Sequence, residues 1–317
     1  MSLWKTLKRG MFFWAFVLLA AYLVYIYPIQ RLTDWLNYPG LLNLPTIVGL
    51  WLLVTAVLRL SFRSSSRTLE MILYNWMGIG FVFFCLCFIY ELLRLGLGLD
   101  DYWAGVGILV VGACITIYAM ATAQRLSCKQ LEFRDPKLTR KYRLVQISDV
   151  HIGSRSVEFL RHVVEVINTQ NPTLIVITGD FLDAKRVQAK DIAPLKNLKA
   201  PVYFSIGNHE RYAGLDWVVP MLEDAGVAVL RSQAVKVGEL QLIGIDDAED
   251  EDQVRRELST IELDSECFKI LLYHRPLGWE SAVVSGINLM LSGHTHNGQI
   301  FPFNLLVRQQ FKRIRGL

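Results

Sequence analysis

The sequence predicts an α/β domain with a largely parallel central sheet, preceded by a four-helix transmembrane region. Three observations lead there. Four long apolar runs crowd into the first 125 residues. From about residue 142 onward, short apolar runs alternate with segments of helical spacing. Five of the six histidines stand in small blocks with Asp, Asn and Gly, each where one of those short runs ends.

The chain has 317 residues, 52% of them hydrophobic, and a positive mean hydropathy. That is high for a protein wholly in water, and the excess lies almost entirely before residue 125. The runs at about 11–30, 38–58, 71–92 and 103–124 are each long enough to cross a bilayer's hydrocarbon core, which takes about 20 residues of helix. A buried helical domain would need a polar face that these runs lack. A cleaved signal peptide suits the basic start (Lys5, Lys8, Arg9), but the first run is too long and has no small-x-small cleavage site. Glu91, near the outer end of the third run, reads as a helix-end carboxylate.

Charge placement predicts orientation. Lys5, Lys8 and Arg9 precede the first span, Arg59, Arg63 and Arg67 separate the second from the third, and seven basic residues from Arg125 to Arg143 follow the fourth. The opposite loops carry only Arg31 and Arg94 as basic residues. Basic flanks stay cytoplasmic, so the expectation is a multi-pass protein of a bacterial-type inner membrane with both termini and the hydrophilic domain in the cytoplasm. The net charge of +4 does not point to nucleic acid, because residues 125–317 carry 25 basic and 24 acidic side chains. Arg308, Lys312, Arg313 and Arg315 form a basic tail, either solvated or against lipid headgroups. Of five cysteines, Cys85, Cys87 and Cys114 fall inside spans and Cys128 and Cys267 outside, with no disulfide framework.

Residues 125–141 read as a basic linker, and residues 142–317 as the soluble domain. Its expected strands are Tyr142–Ser148, Thr173–Thr178, Val202–Ile206, Val227–Leu230, Leu240–Ile245, Phe268–Tyr273 and Ile287–Leu291. Helical spacing marks Val157–Asn168 and Leu215–Asp224, the second closed by Gly226. Asp246–Asp252 reads as a solvated acidic loop, and His162 as an ordinary histidine on a helix.

The histidine blocks are Asp149-Val150-His151, Gly179-Asp180, Gly207-Asn208-His209-Glu210, His274 and Gly293-His294-Thr295-His296. Each follows a predicted strand, and sites in parallel sheets gather at the strands' carboxyl ends. Imidazole, carboxylate and amide oxygen together suit borderline divalent ions, and the set is large enough for two. Asp149 and His151, two apart, can reach one ion, Asp180 can bridge two, and His294 and His296 can serve different ions. Gly179, Gly207 and Gly293 give room for tight turns. Glu210 and Asp183 read as first-turn acids that cap or hydrogen-bond, and Arg275 as a partner for either a phosphate or an ordinary carboxylate.

The ordered set SDVHIG, TGDFLD, GNHE, LYHRP and SGHTHNGQ resembles the calcineurin-like metallophosphoesterase family over about residues 142–300. The resemblance implies a sandwich of two β-sheets flanked by helices. It implies that Asp149, His151 and His296 hold one metal, that Asn208, His274 and His294 hold the other, and that Asp180 bridges them. It gives His209 a catalytic place beside the leaving group as proton donor. The activity implied is hydrolysis of phosphate ester or pyrophosphate bonds by a metal-bridging hydroxide, with two divalent ions, Mn, Fe or Zn before Mg.

Membrane anchoring favours a phosphorylated, membrane-associated substrate such as a phospholipid, a lipid-linked pyrophosphate or a nucleotide-lipid. Relatives that cleave UDP-diacylglucosamine make lipid A synthesis one candidate by analogy. Competing readings are a soluble phosphodiester substrate, an inactive scaffold with this fold, and a sensor or transporter formed by the spans. Two departures stand out. Asn297 replaces a frequent Gly, at a position where Asn tolerates left-handed angles. The domain also ends sooner than its relatives, so a C-terminal truncation is expected.

Overall fold

The computed structural model describes residues 14–61, 67–183, 187–250, 252–300 and 303–311. It divides into two units, Met1–Arg125 and Leu126–Leu317.

In the first unit, helix α1 (Trp14–Trp35) contains a π-helical stretch over Tyr22–Ile26, just before Pro28. A proline lacks the N–H that an α-helical ladder needs, and a π-turn accommodates the gap. α1 therefore runs five residues past the expected end of the first span. Helices α3 (Arg67–Leu97) and α4 (Asp101–Ala123) are likewise long and apolar enough to cross a membrane. Asp100 caps α4 by accepting from Trp103 N at 3.0 Å.

The expected count of four spans needs correction. Helix α2 (Leu44–Ser61) is shorter than the span expected over 38–58, and among the described residues three helices rather than four meet the length and hydropathy of a crossing. The reason is local. Asn37 and Gly40 adopt positive φ around Pro39, which breaks the helix, and α2 restarts only where Asn43 accepts from Thr46 N at 3.0 Å. Glu91 also differs from a plain helix-end carboxylate: it pairs with Arg31 of α1. Beside that pair Trp35 meets Tyr90 edge-on at 4.7 Å, and Tyr90 donates to Asp101 at 2.7 Å.

The second unit contains two four-stranded sheets. The first is all parallel in the order β1 (Leu144–Ile147), β2 (Leu174–Thr178), β3 (Val202–Ser205), β4 (Val227–Val229). The second has the order β5 (Gln233–Val237), β6 (Leu240–Ile245), β7 (Phe268–Tyr273), β8 (Leu289–Leu291); only the β5–β6 pair is antiparallel. This is the two-sheet sandwich implied by the resemblance. Sequence reading missed β5. It is an edge strand with half-exposed residues and the polar Gln233 and Lys236 among its five, so its apolar signal is weak.

Strand alternation shows how the layers stack. In β2, Ile175 and Ile177 pack with the helices of the first layer, whereas Leu174 and Val176 pack with Leu242, Ile270 and Leu272 of the other sheet. In β7, Leu271 and Tyr273 point the opposite way, into a third cluster with Val254 and Leu258. Both central strands are thus buried on two faces, as their unbroken apolar runs require. Helix α5 (Val157–Thr169) buries Leu160, Val163, Val164 and Ile167 at helical spacing, starting from a Ser156 cap on Phe159 N at 3.2 Å. His162 lies on its exposed face.

Leu272 lies fully buried between the sheets. Leu272→Ala is expected to destabilise the soluble unit by about 2–5 kcal/mol. A thermal melt of the detergent-purified protein followed by circular dichroism checks this, and an unchanged midpoint would contradict the stacking.

Candidate metal centre

Five strand ends converge. β1 leads into Asp149 and His151, β2 into Asp180, β3 into Asn208 and His209, β7 into His274, and β8 into His294 and His296. Among the described residues their ligand atoms form two sets, each within 4.8 Å: Asp149, His151 and His296 in one, Asp180, His274 and His294 in the other; a third set, His151, Asp183 and His209, shares His151 with the first. The first set faces solvent at His296, while Asp180, Asn208 and His274 are buried. All seven residues expected as ligands are therefore brought to one edge of the sandwich.

The donor atoms fit cations. His151 Nε2 lies 3.2 Å from His296 Nε2, and His294 Nδ1 lies 3.2 Å from His274 Nε2. With metal–nitrogen bonds of about 2.0–2.1 Å, two rings on one tetrahedral ion stand about 3.3 Å apart. Asp180 Oδ2 is 3.0 Å from His274 Nε2. Asn208 Oδ1 is buried and has no hydrogen-bond partner among the described residues. An orphaned buried amide oxygen is costly, and a cation beside it removes that cost.

Five of these residues (Asp149, His151, Asp180, His294 and His296) adopt positive φ between 45° and 72°. Left-handed backbone at a non-glycine residue costs about 1–3 kcal/mol and persists only where surroundings fix it. Here the ladder between β1 and β2 continues past the strands. Asp149 N donates to Gly179 O at 3.1 Å, His151 N to Asp180 O at 3.1 Å, and Ile152 N to Phe181 O at 2.7 Å. Across the sandwich, Gly293 N donates to His274 O at 2.8 Å, and His294 N reaches both oxygens of Asp149 at 3.1 Å. A Cβ on Gly293 would collide with Ser148 and Asp149, so glycine is needed there for close approach.

Glu210 is the deepest acid of the site. It lies in the first turn of α6 (Asn208–Ala213), fully buried, and its carboxylate accepts four backbone N–H groups. The donors are Asp180, Phe181, Leu182 and Gly207, at 2.8–2.9 Å. Burial pushes its carboxyl up, and these bonds oppose that push. The expectation that Glu210 only hydrogen-bonds is met, but across two loops rather than as a simple cap.

Asp183 is not a first-turn acid. It sits in the loop after β2, where its Oδ1 holds His151 Nδ1 at 2.5 Å and His209 Nδ1 at 2.9 Å. Burial alone would raise its pKa, but the bonds from these two rings win and hold the carboxyl far below its usual range. The bond from Asp183 is also the main reason His209 is pushed upward. His209 N donates to Asp180 Oδ1 at 2.9 Å, and its Nε2 lies 3.9 Å from Asp180 Oδ2, so the ring looks into the centre.

The remaining groups order themselves around the carboxylates. Burial opposes charge on His274, but its bond to Asp180 dominates and raises it to about 9. His294 goes down to about 4 through burial and the charges of His274 and Arg275. Burial would raise Asp149, yet bonds from His296 and Ser148 bring it to about 2. Asn297 takes φ 50°, the left-handed conformation expected of it.

One sequence expectation is overturned here. The segment from Asp246 onward is not simply a solvated acidic loop, because Asp247 is buried. It accepts from Arg275 Nε at 2.6 Å and from Arg211 at 3.3 Å, so Arg275 does meet a carboxylate. Nothing in the local pattern separates Asp247 from its exposed neighbours, since its burial comes from the packing of β6 beside β3 and β7.

The profile of the calcineurin-like phosphoesterase family matches residues 142–298. An uncharacterised metallophosphoesterase of Campylobacter jejuni is 32% identical over 198 residues, covering 60% of this chain and 53% of that protein. A transmembrane protein with metallophosphoesterase domain of Danio rerio is 31% identical over 226 residues, covering 62% and 51%. The chain thus spans about half the length of these two relatives. An uncharacterised metallophosphoesterase of Aquifex aeolicus is 32% identical over 196 residues, covering 57% of this chain and 73% of its own length.

Glu210→Gln places an amide among four backbone donors. It should lower affinity for divalent metal by about 10–100-fold, the usual cost of disturbing groups that support ligands. Metal content after dialysis against graded free Mn²⁺ reads this, and wild-type loading would refute the role given to Glu210.

Proposed function

Because this chain belongs to the calcineurin-like phosphoesterase family, we propose that it is a membrane-anchored, dinuclear-metal phosphohydrolase acting on phosphate ester or pyrophosphate bonds of a membrane-associated substrate. The observation that carries the reading is the convergence of six His and Asp donors at one sandwich edge, with the Asn208 amide oxygen buried and, among the described residues, unpartnered. Asp149, His151 and His296 would hold one ion, Asn208, His274 and His294 the other, and Asp180 would lie between them. Ions bound there would supply Lewis acidity toward phosphoryl oxygens and a nucleophile drawn from water. The mixed donor set suits Mn, Fe or Zn.

The protein's own groups complete the chemistry. Asp183 accepts from His209 Nδ1, fixes the ring's direction and favours the imidazolium, which carries a proton on Nε2 as well. Nε2, on the side of Asp180, is then the atom that delivers a proton to the leaving oxygen. Asp183 also orients His151 through Nδ1, leaving that ring's Nε2 turned toward His296.

Apolar helices of crossing length and the transmembrane relative support association with a membrane. The finer reading is a multi-pass protein of a bacterial-type inner membrane with its catalytic unit cytoplasmic, from the basic flanks. The substrate would then be met at the bilayer surface.

The full chain, purified in detergent and supplied with Mn²⁺, should hydrolyse p-nitrophenyl phosphate or bis(p-nitrophenyl) phosphate and lose the activity to a chelator. Asp180→Ala and His209→Ala should each lower kcat by about 100-fold or more. Undiminished rates in both variants would reject the assignment. Orientation has a separate check, because Cys128 is exposed just past α4. A membrane-impermeant maleimide should label Cys128 in opened spheroplasts and not in intact ones, with Cys128→Ser as the control; labelling in intact spheroplasts would reverse the topology.

A further inference from the structure

The carboxyl end of β6 brings to the same sandwich edge a group that the metal centre does not use. Asp247 has a side chain with 0% exposure. It accepts from Arg275 Nε at 2.6 Å and Nη2 at 3.2 Å, a two-pronged pair. Arg211 Nη1 reaches its Oδ2 at 3.3 Å and its carbonyl oxygen at 3.0 Å. The Asp247 N–H is itself tied to Ile206 O at 3.1 Å, at the end of β3. One buried carboxylate thus immobilises two guanidinium groups, with one positive charge in excess.

Position gives the pair its meaning. Arg275 directly follows His274, and Arg211 lies two residues beyond His209 on α6. The Arg275 carbonyl accepts from Ser292 Oγ at 3.4 Å, two residues before His294. Among the described residues, the other carboxylate beside Arg275 is Glu249, 68% exposed and 4.0 Å from Nη2, with Tyr212 donating to it at 3.3 Å. That is a loosely held counter-charge on an exposed side chain, which an arriving anion can displace. Guanidinium groups already fixed by a buried acid lose little freedom on binding, and their free N–H edges match phosphate oxygens.

Resting on the phosphohydrolase reading above, we infer that Arg211 and Arg275 receive a second anionic phosphate adjoining the one at the metal centre, so that the preferred substrate is a diphosphate rather than a simple monoester. Asp247 is the positioning residue of this subsite, and Glu249 its displaceable gate.

Titration calorimetry of the full-length, Mn²⁺-loaded protein with ADP and AMP, at clamped free Mn²⁺, tests this. ADP should bind the wild type about ten-fold more tightly than AMP or better, the scale of one added charge-assisted contact. Arg275→Gln should bring that ratio close to one. Arg211→Gln, which leaves the Arg275–Asp247 pair intact, should lower it several-fold. Glu249→Gln should raise it, an effect that a merely structural loop would not produce. A ratio near one in the wild type, an unchanged ratio in both arginine variants, or equal weakening of both nucleotides would overturn the inference. Aryl-ester turnover measured alongside separates the two readings: turnover with a flat ratio defeats this inference alone, and a steep ratio without turnover defeats the hydrolase reading alone.

Discussion

A single carboxylate fastens the two loops on which the centre depends. Glu210 gathers the N–H groups of Asp180, Phe181, Leu182 and Gly207, and so locks the segment after β2 to the segment after β3. Burying an acid is expensive, and hydrogen bonds to charged groups contribute about 1.5–3 kcal/mol each. Four of them offset the burial and set the position of Asp180, which lies between the two donor sets. A residue with no place in the donor sets therefore sets their spacing.

The same logic recurs across the sandwich. Asp149 is held by the N–H of His294, so the first sheet grips the loop after β8 of the second. Asp183 takes two histidine rings, and Asp247 takes two arginines. Each carboxylate joins segments distant in sequence, and together they maintain the left-handed backbone at Asp149, His151, Asp180, His294 and His296. The strain is concentrated where the chemistry needs side chains aimed at one point, which is where strained backbone collects.

In the apolar helical unit the polar contacts follow another rule. Arg31 and Glu91 pair between α1 and α3, and the Tyr90 hydroxyl bonds Asp101 at the start of α4. Charged groups that would be unfavourable in hydrocarbon pair with one another near helix ends. Among the described helices, α2 is short because the turn at Asn37–Gly40 consumes residues whose composition alone looks helical.

Periodicity and residue type determined much of this protein. Unbroken apolar runs marked β2 and β7 as strands buried on two faces, and the blocks at strand ends named the residues that meet at one edge, because a parallel sheet brings its carboxyl ends together whatever the separation in sequence. What sequence could not decide is which polar residue is buried. Asp183, Glu210 and Asp247 look like surface acids in any local window, and β5 looks like loop, because burial is a property of the neighbours that packing supplies. The turn that shortens α2 and the pairing of Glu91 with Arg31 belong to the same class. They depend on backbone angles and inter-helix contacts, which only the tertiary structure decided.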